Sequence, residues 1–163
     1  AYEIHERLVG SEMCIRDRAN NDSHAGEMFD SATFLYAFGH IADRKNRVKS
    51  LKKINSYLKN GSPFYLDLFS LNNNNEWGPL TLNAFEENNL GKHGYEKGDV
   101  FYKKRGFIEL AFLHYFEFNE IKSLLVDTSF RIEWVKYIGY SKNPGQIVDS
   151  EREGNFLIKA IKI

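Results

Sequence analysis

Residues 29–40 read Phe-Asp-Ser-Ala-Thr-Phe-Leu-Tyr-Ala-Phe-Gly-His, a short apolar and aromatic run that closes on a glycine and a histidine. An apolar run of this length, bounded by a turn residue, is typical of a strand buried on both faces in a parallel sheet. We therefore expect residues 29–38 to form an inner strand and Gly39 and His40 to end it.

A helix and a second strand are predicted downstream. Asp43 has the short acceptor side chain that caps a first helical turn, and the helix should extend to about residue 59. Its apolar stripe, at helical spacing, consists of Val48, Leu51, Ile54 and Leu58. Gly61 suits a left-handed stop, and residues 63–69 (Pro-Phe-Tyr-Leu-Asp-Leu-Phe) form the next strand. The order strand, helix, strand predicts a right-handed crossover and parallel pairing.

The second half of the chain combines a polar insertion, at about residues 70–112, with a closing antiparallel unit. The elements expected across it are a short helix at 80–90, strands at 100–102 and 107–115, a helix from Phe118, a strand at 131–140, a loop at 141–154 and a final strand at 155–163. In the final strand, alternation puts Phe156, Ile158 and Ala160 on one face.

Composition limits the class of protein. The 163 residues are 42% hydrophobic, 15% aromatic and 27% charged, which is typical of a globular domain. The 22 basic and 22 acidic residues cancel, which disfavours binding to nucleic acid through bulk charge. No apolar run approaches the roughly 20 residues that a membrane helix needs. Cys14 is the single cysteine, so no internal disulfide can form and the reducing cytoplasm is the expected compartment.

The first eighteen residues differ from the rest. Residues 2–7 and 11–18 are similar to the conceptual translation of a short-read sequencing adapter. Residues 1–18 are therefore expected to be non-native, and the alternative is a genuine N-terminal helix. The segment lacks the basic start and the apolar stretch of a signal peptide.

Four segments, in order and spacing, resemble the C-terminal half of class I, Rossmann-like S-adenosylmethionine-dependent methyltransferases. They are residues 29–40, 51–68, 113–130, and the pair 138–140 and 154–163. The resemblance implies an α/β fold: a Rossmann-like three-layer sandwich whose partial sheet has parallel central strands and a C-terminal antiparallel hairpin. On this interpretation, residues 19–163 are the C-terminal portion of a methyltransferase domain.

The chain departs from the family pattern at several points. Ser62 and Ser129 stand where the family usually has glycine, and a left-handed conformation at Ser129 would carry a cost. Nothing matches the glycine-rich loop after the family's first strand or the acidic residue that ends its second strand. We expect both features upstream of Ala19. The chain would then lack most of its cofactor site and would present an unpaired sheet edge.

The resemblance places the cofactor, S-adenosylmethionine, at the end of the strand formed by residues 29–38. The residues that would line it near the transferred methyl group are Tyr36, Ala37, Phe38 and Gly39. Aromatic rings suit a sulfonium cation, but plain core packing is an equal alternative for Tyr36 and Phe38. Asp22 corresponds to the acidic position that binds the adenine amino group, at a shorter spacing than the family has.

Three residues are candidates for catalysis. Because histidine titrates near neutral pH, His40 is either a base for an acidic acceptor or a residue that orders its loop. His114 and Tyr115 precede a helix on the expected substrate side, and they either contact the acceptor or staple the helix entry. Asp67 is assigned to turn or helix bonding rather than to catalysis.

The insertion is the candidate lid over the acceptor, because a long insertion in a compact domain is usually functional or disordered. Its aromatic residues Trp77, Tyr95 and Tyr102 would form that lid. A metal site is not predicted, since the spacing of His24, His40, His93 and His114 does not match a ligand set. A serine hydrolase is not predicted either, because the chain has no Gly-x-Ser-x-Gly motif.

Two classes of function follow. The first is a methyltransferase that acts on a small-molecule, protein or RNA acceptor. Residues 140–160 are similar to the terminal hairpin of wobble-uridine tRNA methyltransferases, although the neutral charge argues against nucleic acid. The second is a non-catalytic, methyltransferase-like module that binds a partner. A nicotinamide dehydrogenase is a weaker third interpretation, because its glycine fingerprint is equally missing and the closing hairpin fits it less well.

Overall fold

The computed structural model describes residues 28–103 and 110–163, which form two β-sheets and three α-helices. The strands are β1 (Ala32–Phe34), β2 (Pro63–Leu68), β3 (Asp99–Lys103), β4 (Leu110–His114), β5 (Phe130–Ile138), β6 (Ile147–Val148) and β7 (Asn155–Lys162). The helices are α1 (Arg44–Tyr57), α2 (Gly78–Glu87) and α3 (Phe118–Val126), with 3-10 turns at Phe38–His40 and Leu90–His93. Asp22 and the adapter-like segment lie outside the described residues.

The larger sheet has the strand order β1-β2-β7-β5-β6. β1 pairs with β2 in parallel, with Phe34 opposite Leu66, as the crossover pattern predicts. β7 lies between β2 and β5 and is antiparallel to both. The β5–β7 pair is therefore the C-terminal hairpin that the resemblance implies. Because β1, β2 and β5 run in the same direction, their carboxyl ends meet at one edge of the sheet, beside the start of β7.

The main core lies on one face of the larger sheet. β2 buries Phe64, Leu66 and Leu68 on this face and leaves Tyr65 and Asp67 half-buried on the other. Helices α1 and α3 contact each other here and add the buried side chains of Leu51, Ile121, Leu124 and Leu125. Residues 28–103 and 110–163 thus supply two of the three layers that the resemblance implies.

The first strand is shorter and less buried than its sequence predicts. β1 contains only Ala32–Phe34 rather than residues 29–38, and Thr33 is exposed. The physical reason is its position, because β1 is the outermost strand of the sheet within the described ranges. One of its edges consequently has no strand neighbour among the described residues, and the unpaired edge stays a prediction.

Helix α1 begins where it is predicted, because the Asp43 side chain accepts a hydrogen bond from the Asn46 N–H at 2.8 Å. It ends slightly early: Leu58 is extended, with ψ of 144°, and forms an isolated bridge with Phe29. Gly61, with φ of +81°, makes the left-handed turn before β2. No helix in the described part of the chain is both long and apolar enough to cross a membrane.

The insertion forms a smaller unit in which β3 and β4 pair antiparallel, apart from the larger sheet, and α2 precedes them. The expected short helix and strand pair are therefore present. At the base of the insertion Ser70 bridges Phe116, and the Leu71 N–H donates to the Phe116 carbonyl at 2.9 Å. The chain thus leaves β2 and enters α3 at adjacent points. Leu71, Leu113 and Tyr115 form a second buried cluster beneath the insertion.

The segment 141–154, expected to be a loop, contains the short strand β6, which pairs with the end of β5. Gly139 makes this possible, because a Cβ atom there would overlap the carbonyl oxygens of Lys142 and Asn143, and its N–H donates to the Gln146 carbonyl at 2.9 Å. The turn keeps the residues that follow β5 at the edge of the sheet.

Candidate functional site

A cleft opens at the edge where β1, β2 and β5 end and β7 begins. Its empty volume is about 390 Å³, including space that is open to solvent. The residues that follow β1 contribute Tyr36, Ala37, Gly39 and His40, and the ends of β2 and β5 contribute Asp67, Phe69 and Tyr140 among others. Since ligands of α/β sheets bind beyond the carboxyl ends of the strands, this cleft is the candidate binding site.

Tyr36 has an unusual backbone conformation in this cleft. Its φ is +55°, a left-handed value that costs a non-glycine residue about 1 kcal/mol or more. Its N–H donates to Asp67 Oδ1 at 2.6 Å. The carboxylate at the end of β2 therefore holds the strained turn at the end of β1, which is the turn-bonding role expected for Asp67. The Tyr36 side chain is 45% exposed.

Gly39 allows the turn that follows β1 to approach β4 closely. A Cβ atom added to Gly39 would lie 2.9 Å from Leu113 Cδ1 and 3.1 Å from the His114 carbonyl oxygen. Any larger residue would therefore push the turn away from the insertion. The close approach keeps the backbone of this segment at the wall of the cleft.

Phe38 is the one member of the predicted cofactor-binding set, within the described residues, that does not line the cleft. Its ring is buried and packs edge-on against Phe34, with the ring centroids 5.5 Å apart, and it lies tilted against the ring of Phe116 at 5.8 Å. This is the core-packing alternative. Tyr36, Ala37 and Gly39 do line the cleft, and their contact with a cofactor stays a prediction.

His40 is held through one ring nitrogen. Its Nδ1 lies 2.7 Å from the Phe112 carbonyl oxygen of β4. A carbonyl can only accept a hydrogen bond, so Nδ1 carries the hydrogen, and in the neutral ring Nε2 keeps a free lone pair. Nε2 makes no hydrogen bond to any residue in the described ranges. This arrangement is compatible with both predicted roles, proton acceptor and anchor of the loop.

His114 lies behind the cleft rather than in it. It is 1% exposed, its Nδ1 is 2.6 Å from Asp99 Oδ1, and its Nε2 is 3.1 Å from Glu120 Oε2. Both carboxylates are satisfied only if both ring nitrogens carry hydrogen, so the geometry defines an imidazolium. Burial opposes this charge, but the hydrogen bonds to Asp99 and Glu120 outweigh it, and the pKa of His114 is raised above its usual value.

Arg47 extends this charged network beneath the insertion. It is fully buried, its guanidinium pairs with Glu96 and Glu120, and it donates to the Ile41 carbonyl at 3.0 Å. Glu96, His114 and Glu120 also offer three ligand atoms within 4.8 Å of one another, which the sequence spacing of the histidines does not reveal. Both carboxylates, however, already pair with cationic side chains. The cluster is thus an ion-paired network that joins the insertion to α1 and α3, although the buried Nε of Arg47 has no hydrogen-bond partner among the described residues.

Tyr115 packs beneath the wall of the cleft. Its ring is buried, 5.5 Å from that of Phe69. Burial, and then the negative charge of Glu76, raise the pKa of the Tyr115 hydroxyl well above its usual range, so the phenol stays protonated. Neither His114 nor Tyr115 lines the cleft. Their contact with an acceptor, and the alternative that they staple the helix entry, both stay predictions.

Aromatic rings and one carboxylate define the chemistry of the cleft. The ring centroid of Tyr140 is 5.7 Å from that of Tyr36 and 5.2 Å from that of Phe69. Burial raises the pKa of Asp67, although the hydrogen bond from the Tyr36 N–H acts in the opposite direction. Burial and then Asp67 raise the pKa of Tyr36. Both phenols are therefore neutral at neutral pH, and Asp67 is the one acidic side chain among the described residues that line the cleft.

Sequence reasoning missed Phe69 and Tyr140 and gave Asp67 no place in the cleft. Asp67 and Phe69 stand at the end of β2, and Tyr140 follows β5. The rule that ligands bind beyond strand ends would select them once β5 is known to run with β2. That direction depends on the insertion of β7 between the two strands, which no local pattern encodes.

The aromatic residues of the insertion pack on one another. Trp77 lies edge-on to Tyr102, with the ring centroids 5.6 Å apart, and Tyr95 lies edge-on to Phe101 at 5.5 Å. Trp77 is 50% exposed. None of these rings lines the cleft, so their role as a lid stays a prediction.

No protein-family model matches the chain, and no curated protein matches its sequence. Solved structures do match the fold. It is similar to a SAM-dependent methyltransferase from Methanosarcina mazei, with a TM-score of 0.63, 22% identity, and coverage of 88% of this chain and 65% of that one. It is also similar to an S-adenosylmethionine-dependent methyltransferase from Clostridium acetobutylicum, with a TM-score of 0.52, 13% identity, and coverage of 96% and 71%.

A third similar structure is the 1,6-didemethyltoxoflavin-N1-methyltransferase of Burkholderia thailandensis, solved with bound 1,6-didemethyltoxoflavin and S-adenosylhomocysteine. Its TM-score is 0.53 at 14% identity, and the match covers 88% of this chain and 47% of that one. The chain therefore has the mixed α/β fold of Rossmann-like methyltransferases. It spans 65% of the length of the Methanosarcina mazei protein.

Proposed function

We propose that this chain is part of an S-adenosylmethionine-dependent methyltransferase. One observation carries the proposal: the cleft of a methyltransferase-like fold forms around residues 36–40, the segment that the sequence resemblance assigns to the cofactor. The sequence resemblance and the position of the cleft are separate arguments, since the second depends only on how the strands pair.

The residues of the cleft fit the sulfonium group of this cofactor. The Asp67 carboxylate lies beside the rings of Tyr36 and Tyr140, and both a carboxylate and a ring face attract a cation. No lysine or arginine lines the described part of the cleft to compete for these groups. Gly39 adds backbone to the wall of the cleft, because the absence of a Cβ atom lets this turn lie close to β4.

When bound, S-adenosylmethionine supplies a methyl group that a nucleophile on the acceptor takes by in-line displacement. The contribution of the chain is positioning, because the turn at residues 36–40 is held by Asp67 on one side and by β4 on the other. His40 Nε2 accepts the proton of an acidic acceptor while its Nδ1–H stays bonded to Phe112.

The acceptor is proposed to be a small molecule. RNA binding draws on lysine and arginine contacts to phosphates, and the described cleft has none. Protein and RNA acceptors are the alternatives. A gel shift with tRNA at low salt tests the RNA alternative. A shifted band would overturn the preference for a small-molecule acceptor.

Isothermal titration calorimetry with S-adenosylhomocysteine tests the cofactor. It should be run on the 163-residue chain and on the product of the complete reading frame that contains it. We expect saturable binding at millimolar concentrations or below, and weaker binding by Tyr36→Ala. Tyr95→Ala, which removes a half-exposed tyrosine from outside the cleft, should bind like the original protein. If neither protein binds at millimolar ligand, the methyltransferase proposal is wrong.

A further inference from the structure

The cleft carries a negative charge that no described residue neutralises. Asp67 Oδ1 accepts the Tyr36 N–H, and within residues 28–103 and 110–163 the Asp67 carboxylate forms no ion pair. A half-buried carboxylate without a cationic partner loses part of its hydration, and a bound cation would restore its stabilisation. An anionic ligand would be repelled from the same position.

Two aromatic rings extend the same preference. Tyr36 and Tyr140 lie with their ring centroids 5.7 Å apart, and Phe69 packs edge-on against Tyr140. The faces of such rings carry negative potential and attract ammonium and sulfonium groups. A second carboxylate, Glu76, accepts the Ser141 N–H at 2.9 Å, and with burial it raises the pKa of the Tyr140 hydroxyl. The surroundings of the ring pair are therefore acidic as well.

No lysine or arginine lines the described part of the cleft to hold an anion. The Asn155 side-chain oxygen is already used as an acceptor, because it accepts from the Ser70 N–H at 3.1 Å and from Asn73 Nδ2 at 3.0 Å. The Nδ1–H of His40 is bonded to Phe112, which leaves Nε2 as an acceptor in the neutral ring. A ligand bearing phosphate or carboxylate would meet no fixed cation among the described residues of the cleft.

We infer that Asp67, Tyr36 and Tyr140 form a subsite for an organic cation. This deepens the proposed function and rests on it. The cation is either the sulfonium of the cofactor or an ammonium group on the methyl acceptor, which would make the acceptor an amine. Both sources share one chemistry, a positive charge with an apolar surround, and two pairs of matched ligands separate them.

Binding of matched ligands by the protein and its variants tests this subsite. Tyramine and 3-(4-hydroxyphenyl)propanoate share a phenol and a two-carbon link but carry opposite charges, and they probe the acceptor in the presence of S-adenosylhomocysteine. Sinefungin, with an amine in place of the sulfonium methyl, and S-adenosylhomocysteine, with a neutral sulfur, probe the cofactor position. We expect the cationic member of at least one pair to bind about tenfold or more tightly than its partner.

Asp67→Asn should abolish the preference, since it removes the charge while its amide oxygen can still accept the Tyr36 N–H. Glu87→Gln is the matched control, because it removes one carboxylate from an exposed position on α2 and should keep the preference. Tyr140→Leu gives a second test that does not alter Asp67. It should reduce the preference several-fold.

Each outcome of these binding experiments either identifies the cation that the subsite binds or rejects the subsite. A tyramine preference lost in Asp67→Asn supports an amine acceptor, and a sinefungin preference lost in the same variant supports the sulfonium. Equal binding within both pairs, or preferences that survive Asp67→Asn, would overturn the inference. If tyramine binds through Asp67 but neither nucleoside binds, the cation subsite stands and the methyltransferase proposal fails.

Discussion

Asp67 has two opposing effects: it contributes to the proposed binding site, and its burial costs stability in the folded chain. It holds the Tyr36 backbone in a strained turn, yet burial raises its pKa, which means that the folded chain tolerates the charge poorly. Functional sites commonly carry such costs, which a scaffold offsets elsewhere. The local sequence, with aspartate between two leucines of a strand, does not distinguish a turn-bonding residue from a cleft residue.

We predict that Asp67→Asn raises the free energy of unfolding at neutral pH, because it removes a charge that burial disfavours in the folded chain. The pKa of Asp67 is higher in the folded than in the unfolded chain, so the folded state loses stability as pH rises through that value. The gain in stability of the variant should therefore develop as pH rises from the unfolded to the folded pKa of Asp67, and it should be complete above the folded value. Urea denaturation over a range of pH measures it, and a variant that is less stable at neutral pH would contradict the account.

Ser129 occupies a left-handed position, with φ of +61°, at the turn between α3 and β5. Its carbonyl accepts hydrogen bonds from Asn55 Nδ2 and from the Ile163 N–H, both at 3.1 Å, so the turn cannot relax without breaking them. The sequence predicted a cost here only because the family usually has glycine at this position. The structure supplies the physical reason.

Ser129→Gly should raise the free energy of unfolding by up to about 1 kcal/mol, since glycine adopts this conformation without strain. Ser129→Ala is the control, because alanine has the same Cβ and should give no gain. Thermal unfolding of the three proteins measures the difference. Equal or lower stability of the glycine variant would show that the turn is not strained.

At the scale of elements, the ion network of Arg47, Glu96, Asp99, His114 and Glu120 connects the insertion to the helices. It places one charged residue on α1, two on the segment that leads into and begins β3, one on β4 and one on α3. Sequence patterns locate these elements through apolar spacing and turn residues. They do not show that five charged side chains converge, because the convergence depends on long-range packing.

We predict that the docking of the insertion depends on pH. The pKa of His114 is raised above its usual value, so its stabilising charge is fully present below about pH 6.5 and is lost as pH rises through the folded pKa. The protection factors of the β3 and β4 amides, which correct the exchange rates for their intrinsic rise with pH, should fall over that interval. Three charged groups face the His114 ring and shift its pKa: the carboxylates of Asp99 and Glu120, which raise it, and the guanidinium of Arg47, which lowers it.

His114→Gln should lower the free energy of unfolding by about 3 kcal/mol at pH 6, because two carboxylates would lose their buried cation. His93→Gln, at an exposed position in the same insertion, should change little. The variant should also make the protection factors of the β3 and β4 amides less dependent on pH. An unchanged pH dependence would show that His114 is not the titrating group.

At the scale of the whole molecule, the parallel pair β1–β2 and the closing β5–β7 pair were predictable, because crossover chirality and alternation constrain them locally. The length and burial of β1 were not, since they depend on which strands lie beside it. The residues of the site likewise fall into a group that the local sequence predicts and a group that it does not. Tyr36, Ala37, Gly39 and His40 follow from one strand end, whereas Asp67, Phe69 and Tyr140 join them only through the strand order of the sheet.

The central claim is that a methyltransferase cofactor binds in the cleft at residues 36–40. The most direct test is a titration of the isotopically labelled protein with S-adenosylhomocysteine, followed by amide chemical shifts in NMR spectra. We predict the largest shifts at residues 36–40 and at Asp67–Phe69, with helix α2 unaffected. A ligand that binds and shifts amides elsewhere, or that shifts none at millimolar concentration, would contradict the claim.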